Sequence, residues 1–234
     1  MIIQEIKKEL KKHIDPEYQK SIQRFSKEEI AAYGVRRPEV KKITAQYFQK
    51  IKDKPKEEIF RLCEELMNSG MMEERGIAID WAIRYKKQYV PADFKVFEFW
   101  LEKHVSNWGA CDHISVLLGA FIDKFPEFIP KVKDWTASPN RWFRRAAAVS
   151  FIPLLKKKKT LEEVFDIADR LLLDEDDLVQ KGYGWLLKEA SKKYPEDVFR
   201  YVLQHKERMP RTALRYAIEK MPPDWKKKAM ARSG

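Results

Sequence analysis

Cysteine is almost missing from this chain: Cys63 and Cys111 are all that its 234 residues contain. Two cysteines with no paired spacing exclude a disulfide framework and a cysteine-ligated metal site. A reducing intracellular compartment is the expectation. Histidine is nearly as sparse. His13, His104, His113 and His205 show no ligand spacing, so no metal centre is expected. Glycine occurs eight times, with no glycine-rich loop able to cradle a phosphate. No apolar run approaches the length that crosses a bilayer, and no secretory signal opens the sequence. Alternating strand patterns and two-residue hairpin turns are also absent, so no β-sheet is expected.

What the chain does contain is charge and helical periodicity. Hydrophobic residues make up 44% and aromatics 12%, enough for a packed core rather than disorder. Lysine and arginine number 47 against 36 acidic residues, a net charge of +11. A field of that sign favours a polyanionic partner. The 35% of charged residues also fits growth at high temperature, but that accounts for their number and not for the excess of one sign. Helices are expected nearly throughout. Asp15-Pro16 is a capping residue followed by proline at the first helical position, and Ser26-Lys27-Glu28-Glu29 has capping-box spacing. Proline-led helices are expected from Pro38 toward Ile51, from Pro126 to Trp135 and from Pro139 to about Lys157. Others are expected at Trp108–Lys124 and Asp176–Lys193.

The helices come in pairs. In the second member of successive pairs, comparable aromatic or apolar positions recur at Trp81, Leu118, Phe151, Trp185 and Tyr216, at intervals of 37, 33, 34 and 31 residues. Periods of this size belong to helical solenoids, in which each pair buries one face on its neighbours. The expected fold is therefore all-α: a right-handed α-solenoid of divergent, HEAT-like repeats forming one domain over residues 1–234. An irregular helical bundle is the alternative.

Three helices carry residues that do not suit a core. In Trp108–Lys124, Ala110, Ile114, Leu117, Leu118 and Phe121 share one face. Trp108, Asp112, Ser115 and Gly119 fall roughly opposite. A ring and a carboxylate above small residues read as the wall of a groove. The alternative is an ordinary helix start. In the helix opening at Ser138-Pro139-Asn140, only the arc of Arg141, Arg144, Arg145, Ala148 and Lys156 is left polar. Guanidinium groups on such an arc suit phosphate, although ion pairs to Asp134 or Asp174 would serve them equally. In Asp176–Lys193, Trp185 lies opposite the apolar face of Val179, Tyr183, Leu186, Leu187 and Ala190, among Lys181, Lys188 and Lys192. Stacking on nucleic acid and burial against a neighbouring repeat are both open. The lysine runs Lys156–Lys159, Lys192-Lys193 and Lys226–Lys228 are either a phosphate-tracking stripe or simply solvated.

Several segments, in this order, are similar to those of the AlkD-like DNA alkylation repair glycosylases, which are HEAT-like repeat proteins. They are Tyr33-Gly34-Val35-Arg36-Arg37-Pro38-Glu39, Glu73-Glu74-Arg75, Trp108-x-x-x-Asp112, Arg141-Trp142-Phe143-Arg144-Arg145-Ala146-Ala147 and Val179-Gln180-Lys181-Gly182-Tyr183-Gly184-Trp185. The resemblance spans nearly the whole chain. It implies excision of cationic alkylated purines, such as 3-methyladenine and 7-methylguanine, from duplex DNA without base flipping. It implies that Trp108 and Trp185 contact the lesion's sugar and backbone, that Asp112 is the catalytic carboxylate, and that Arg145 rather than Arg144 meets a phosphate. Two departures stand out. Gly109 stands where an acidic residue often follows the first Trp, and Phe25 stands where a tyrosine can occur, so any hydrogen bond from that position is lost.

A monofunctional glycosylase on this pattern needs no metal and no organic cofactor. A monomer acting on alkylated double-stranded DNA, with no membrane partner and a cytoplasmic, nucleoid-associated place in a prokaryote, is expected. Arg141, Arg144, Lys181, Lys188 and Phe25 are the further DNA-contact candidates. Two competing readings are a non-catalytic binder of damaged or branched DNA and a protein-binding solenoid.

Overall fold

A computed structural model of the protein describes residues 2–24, 28–156 and 161–231. Among them the regular elements are helices: α1 (Ile2–Lys12), α2 (Pro16–Gln23), α3 (Arg37–Gln49), α4 (Lys56–Met67), α5 (Met72–Arg84), α6 (Asp93–His104), α7 (Trp108–Lys124), α8 (Ile129–Asp134), α9 (Arg141–Val149), α10 (Leu161–Arg170), α11 (Asp177–Ser191), α12 (Pro195–His205), α13 (Arg211–Ala217) and α14 (Pro223–Met230). An isolated antiparallel bridge joins Ile14 to Val35. The chain divides into two compact units, Met1–Leu117 and Leu118–Gly234, with the boundary inside α7.

In the first unit α3 and α5 pack side by side, backed by α1 and α4. The stripe Ile3, Ile6 and Leu10, spaced three and four apart, is the buried face of α1. Asp15 caps α2, its carboxylate accepting the Tyr18 N–H at 2.9 Å, with Pro16 following as expected. The loop from α2 to α3 turns at Gly34, whose φ of +86° is open to glycine. A Cβ there would also lie 2.5 Å from that of Gln19. Trp81 is fully buried on α5 and donates its indole N–H to the Thr44 carbonyl at 3.1 Å, which ties α5 to α3. Behind them Phe60, Tyr89, Phe97 and Trp100 form an aromatic cluster with centroids 5.1–6.3 Å apart.

In the second unit α9, α11 and α13 lie side by side, and α10 and α12 pack behind α11, with α14 against α12. Gly184 lets α11 and α13 touch: a Cβ on it would sit 2.7 Å from Tyr216 Cβ and 2.8 Å from the Ala213 carbonyl. The core face read for α11 is fully buried, as is that read for α7.

Four sequence readings need correction. The helix expected from Pro139 to about Lys157 ends at Val149 and is followed by a 3-10 stretch, Ile152–Lys156. Pro153 lacks the N–H and crowds the preceding turn, so the α-helix stops before it. The polar arc of α9 is not open at two positions, since Arg145 and Ala148 are both buried. The arc of α7 below Trp108 and Asp112 is closed too. Ser115 is buried, its hydroxyl donating to the Cys111 carbonyl at 2.8 Å, and a Cβ on Gly119 would lie 2.6 Å from the Ser150 carbonyl. Nor are the recurring positions equivalent: Trp81, Leu118 and Phe151 are fully buried, whereas Trp185 and Tyr216 are only half-buried. Phe25, the Ser26-Lys27 half of the capping box, and Lys157 to Lys159 lie outside the described residues.

Candidate functional site

In the first unit the candidate residues stand at the start of α7. Asn107 precedes the helix, and its side-chain oxygen accepts the Ala110 N–H at 3.0 Å. Trp108 is the first helical residue and Asp112 follows one turn later; both are half-buried, above the buried Ala110, Cys111 and Ile114. His113, next along α7, has an outer edge open to solvent. Crowding of its ring by protein and then the charges of Arg75 and Arg37 lower its pKa to about 4. It is therefore neutral near pH 7.

Beside α7 the structure reveals a buried ionic cluster that sequence reasoning missed. Glu73, Glu74 and Arg75 open α5, and all three are buried. The Glu73 carboxylate accepts three successive backbone N–H groups, from Tyr33 at 3.0 Å, Gly34 at 2.8 Å and Val35 at 3.0 Å. Glu74 accepts the Tyr33 hydroxyl at 2.6 Å and lies 3.6 Å from the Lys7 ammonium. Burial, first, and the Glu74 carboxylate push the Tyr33 phenol well above its ordinary value. Arg75 is only 4% exposed, and its Nε has no hydrogen-bond partner. Burial lowers its pKa to about 10, against the opposing charge of Glu73. The visible signal was three charged residues in succession where a helix goes on to bury Ile77, Ala78 and Trp81. A cleft of about 550 Å³ opens beside this cluster, walled by α3, α5 and the His113–Val116 edge of α7.

In the second unit α9 and α11 carry the remaining described candidates. Asn140 caps α9 through the Trp142 N–H at 2.9 Å, and Asp176 caps α11 through Leu178 and Val179. The same aspartate holds Arg141, at 2.7 Å from Nε. Arg144 is held by Asp174 at 2.7 Å and also donates to the Ser138 carbonyl. Of the two open readings for these arginines, the structure shows ion pairing, with Asp174 a partner the sequence had nominated. Arg145 donates to the Leu178 carbonyl, and Gly182 lets α11 approach its stem, with a virtual Cβ 3.3 Å from Cγ. Lys181 pairs with Asp177 at 3.0 Å and Lys188 with Glu219 at 3.0 Å. Trp185 is half-buried, and its indole N–H meets Glu189 at 3.3 Å. Glu189, which also takes Lys192 at 2.6 Å, was missed although its i+4 spacing from Trp185 was legible. Among the described residues no group of His, Cys, Asp or Glu is arranged to hold a metal, and no helix is long and apolar enough to cross a membrane.

The sequence matches the model of a family described as DNA alkylation repair enzyme over residues 6–221. No curated protein matches the sequence. A solved structure, "Predicted DNA alkylation repair enzyme from Enterococcus faecalis", is similar to this one with a TM-score of 0.79 at 20% sequence identity, covering 90% of this chain and 98% of that one. At that identity the likeness is one of fold. The family match spans most of the chain, and it includes the segments at Tyr33, Glu73, Trp108, Arg141 and Val179 that carry the resemblance. This chain belongs to the DNA alkylation repair enzyme family.

Proposed function

We propose that this protein is a monofunctional DNA glycosylase that releases cationic alkylated purines, such as 3-methyladenine and 7-methylguanine, from duplex DNA. The observation that carries the reading is the pair Trp108 and Asp112, half-exposed one turn apart at the start of α7 in a chain of the DNA alkylation repair family. The architecture that goes with it is a single right-handed, HEAT-like solenoid, acting as a monomer. The side-by-side row of α9, α11 and α13, with α10 and α12 behind it, supports that architecture.

An alkylated purine already carries positive charge and leaves readily. The barrier lies at the sugar, which becomes oxocarbenium-like as the glycosidic bond breaks. Asp112 is proposed to stabilise that charge and to orient the attacking water. At ~4 Å and an effective dielectric of ~20 the attraction is on the order of 4 kcal/mol. That is roughly a thousandfold in rate if it acts only in the transition state. Trp108 and Trp185 are proposed to contact the sugar and backbone, each aromatic face adding about 0.5–2 kcal/mol of attraction for a cationic group. Arg145 is the proposed phosphate contact, and because it is buried and donates to the Leu178 carbonyl it must leave that carbonyl to reach a phosphate. Lys181 exchanges its solvent-facing aspartate for a phosphate at little cost, because exposed pairs are worth ~0.2–1 kcal/mol. Arg144, whose Asp174 partner is 9% exposed, gives up more.

The test is release of free base from methylated duplex DNA, identified by chromatography, with wild type and Asp112→Asn side by side. Release should fall by about a hundredfold or more in the variant, with unchanged DNA affinity and thermal midpoint. Unaffected release would move the chemistry away from Asp112. Tight binding without release by either protein would make the chain a non-catalytic binder.

A further inference from the structure

We propose that the cleft between α3 and α5 is a nucleotide site, taking a phosphate at its mouth and a base on its floor. This rests on the DNA-directed reading above but concerns a place distinct from Asp112. The first observation is a selective lack of counter-ions. The segment Arg36-Arg37-Pro38-Glu39-Val40-Lys41-Lys42 carries four cations. Arg36 is paired with Asp15 at 2.7 Å and lies over the Tyr18 ring, and Lys42 is paired with Glu39 at 2.7 Å. Arg37 and Lys41 are the two that line the cleft, and among the described residues neither has a carboxylate within ion-pair distance. They stand four apart on one helix face, where like charges repel unless an anion lies between them.

The acidic groups on the cleft wall do not compensate. Asp80 is engaged by Arg84 at 2.6 Å, and Glu73 by the three backbone N–H groups of Tyr33, Gly34 and Val35. Behind the wall the buried Arg75 offsets the charge of Glu73, so that carboxylate does not neutralise Arg37 and Lys41. The second observation is the floor. Val35, Val40, Ile79, Ile83 and Val116 supply an apolar surface, and Gly76 adds open space, since a Cβ built on it meets nothing within 4 Å. A cleft of about 550 Å³ falls within the range of small-ligand sites. A bare phosphate has no use for such a floor, whereas the flat face of a base does. A phosphorylated nucleotide supplies both chemistries, either as an unpaired unit of a DNA strand or as a free monophosphate.

The probes are deoxyadenosine 5′-monophosphate and inorganic phosphate, titrated into the ¹⁵N-labelled full chain, with thermal melts checking that each variant is folded. The nucleotide should bind at least tenfold tighter than phosphate and shift resonances of α3 and α5. R37Q/K41Q should weaken both probes at least tenfold. G76F, which fills the floor, should weaken the nucleotide at least tenfold and leave phosphate within twofold. A nucleotide no tighter than phosphate, or indifferent to G76F, overturns the proposal. Competition by an oligonucleotide with one unpaired residue identifies a strand as the source; failure to compete, with monophosphate still bound, identifies the free nucleotide. Base release is read separately. Release without the cleft signature overturns the cleft alone, and the cleft signature without release supports the cleft and overturns the glycosylase.

Discussion

Glu73 shows how one residue joins two segments far apart in sequence. Its carboxylate replaces the water that three consecutive N–H groups would otherwise bind, and the Tyr33-Gly34-Val35 turn is thereby fixed against α5. Both oxygens are used, Oε1 by Gly34 and Val35 and Oε2 by Tyr33. Glu73→Gln keeps the shape but must turn a donor toward one N–H. Glu73→Ala leaves all three without their acceptor. Each buried group left unsatisfied costs about 1–3 kcal/mol. Urea denaturation should therefore show a loss of about 1–2 kcal/mol for Gln and about 3 kcal/mol or more for Ala. Equal losses for the two would mean that side-chain volume, not hydrogen bonding, holds the turn.

At the level of helices, the sequence was most legible where periodicity and caps coincide. The bounds of α7 match the expected Trp108–Lys124, and Asp15-Pro16 caps α2 as its residues dictate. What could not be read was which helix face meets a neighbour, because tertiary packing decides it. Arg145 looked like part of a polar arc, yet α11 covers it. Ser115 and Gly119 looked like a groove wall, yet small size there serves close packing. The site was legible as residue types, Trp108, Asp112 and Trp185, and Asp174 was among the partners named for the arginines, but the pairing of Arg141 with Asp176 comes from folding. Two helical glycines make the distinction measurable. Gly76 faces open space, so Gly76→Ala should stabilise by about 0.5–1 kcal/mol through helix propensity. Gly184 faces Tyr216 and Ala213 at under 3 Å. Gly184→Ala should therefore cost about 1–3 kcal/mol by forcing α11 and α13 apart. Paired thermal melts check both signs, and a destabilising Gly76→Ala would contradict the open face of α5.

For the molecule as a whole, the excess of 47 basic over 36 acidic residues is not spread evenly over function. The cations singled out on α9 and α11 largely meet carboxylates: Arg141 with Asp176, Arg144 with Asp174, Lys181 with Asp177 and Lys188 with Glu219. A cation that keeps its carboxylate on DNA releases no counter-ion from the phosphates, and one that exchanges partners does. Duplex affinity should fall linearly as log K against log salt, with a slope of about −0.9 per phosphate neutralised. Lys181→Gln, which removes an exposed and exchangeable cation, should make that slope shallower by about 1. Arg144→Gln should leave the slope unchanged and instead lower stability, because the part-buried Asp174 loses its partner. A shallower slope for Arg144→Gln would mean that its aspartate yields to phosphate, and would place Arg144 among the DNA contacts. An affinity indifferent to salt in the wild type would show that the positive charge serves something other than a nucleic-acid backbone.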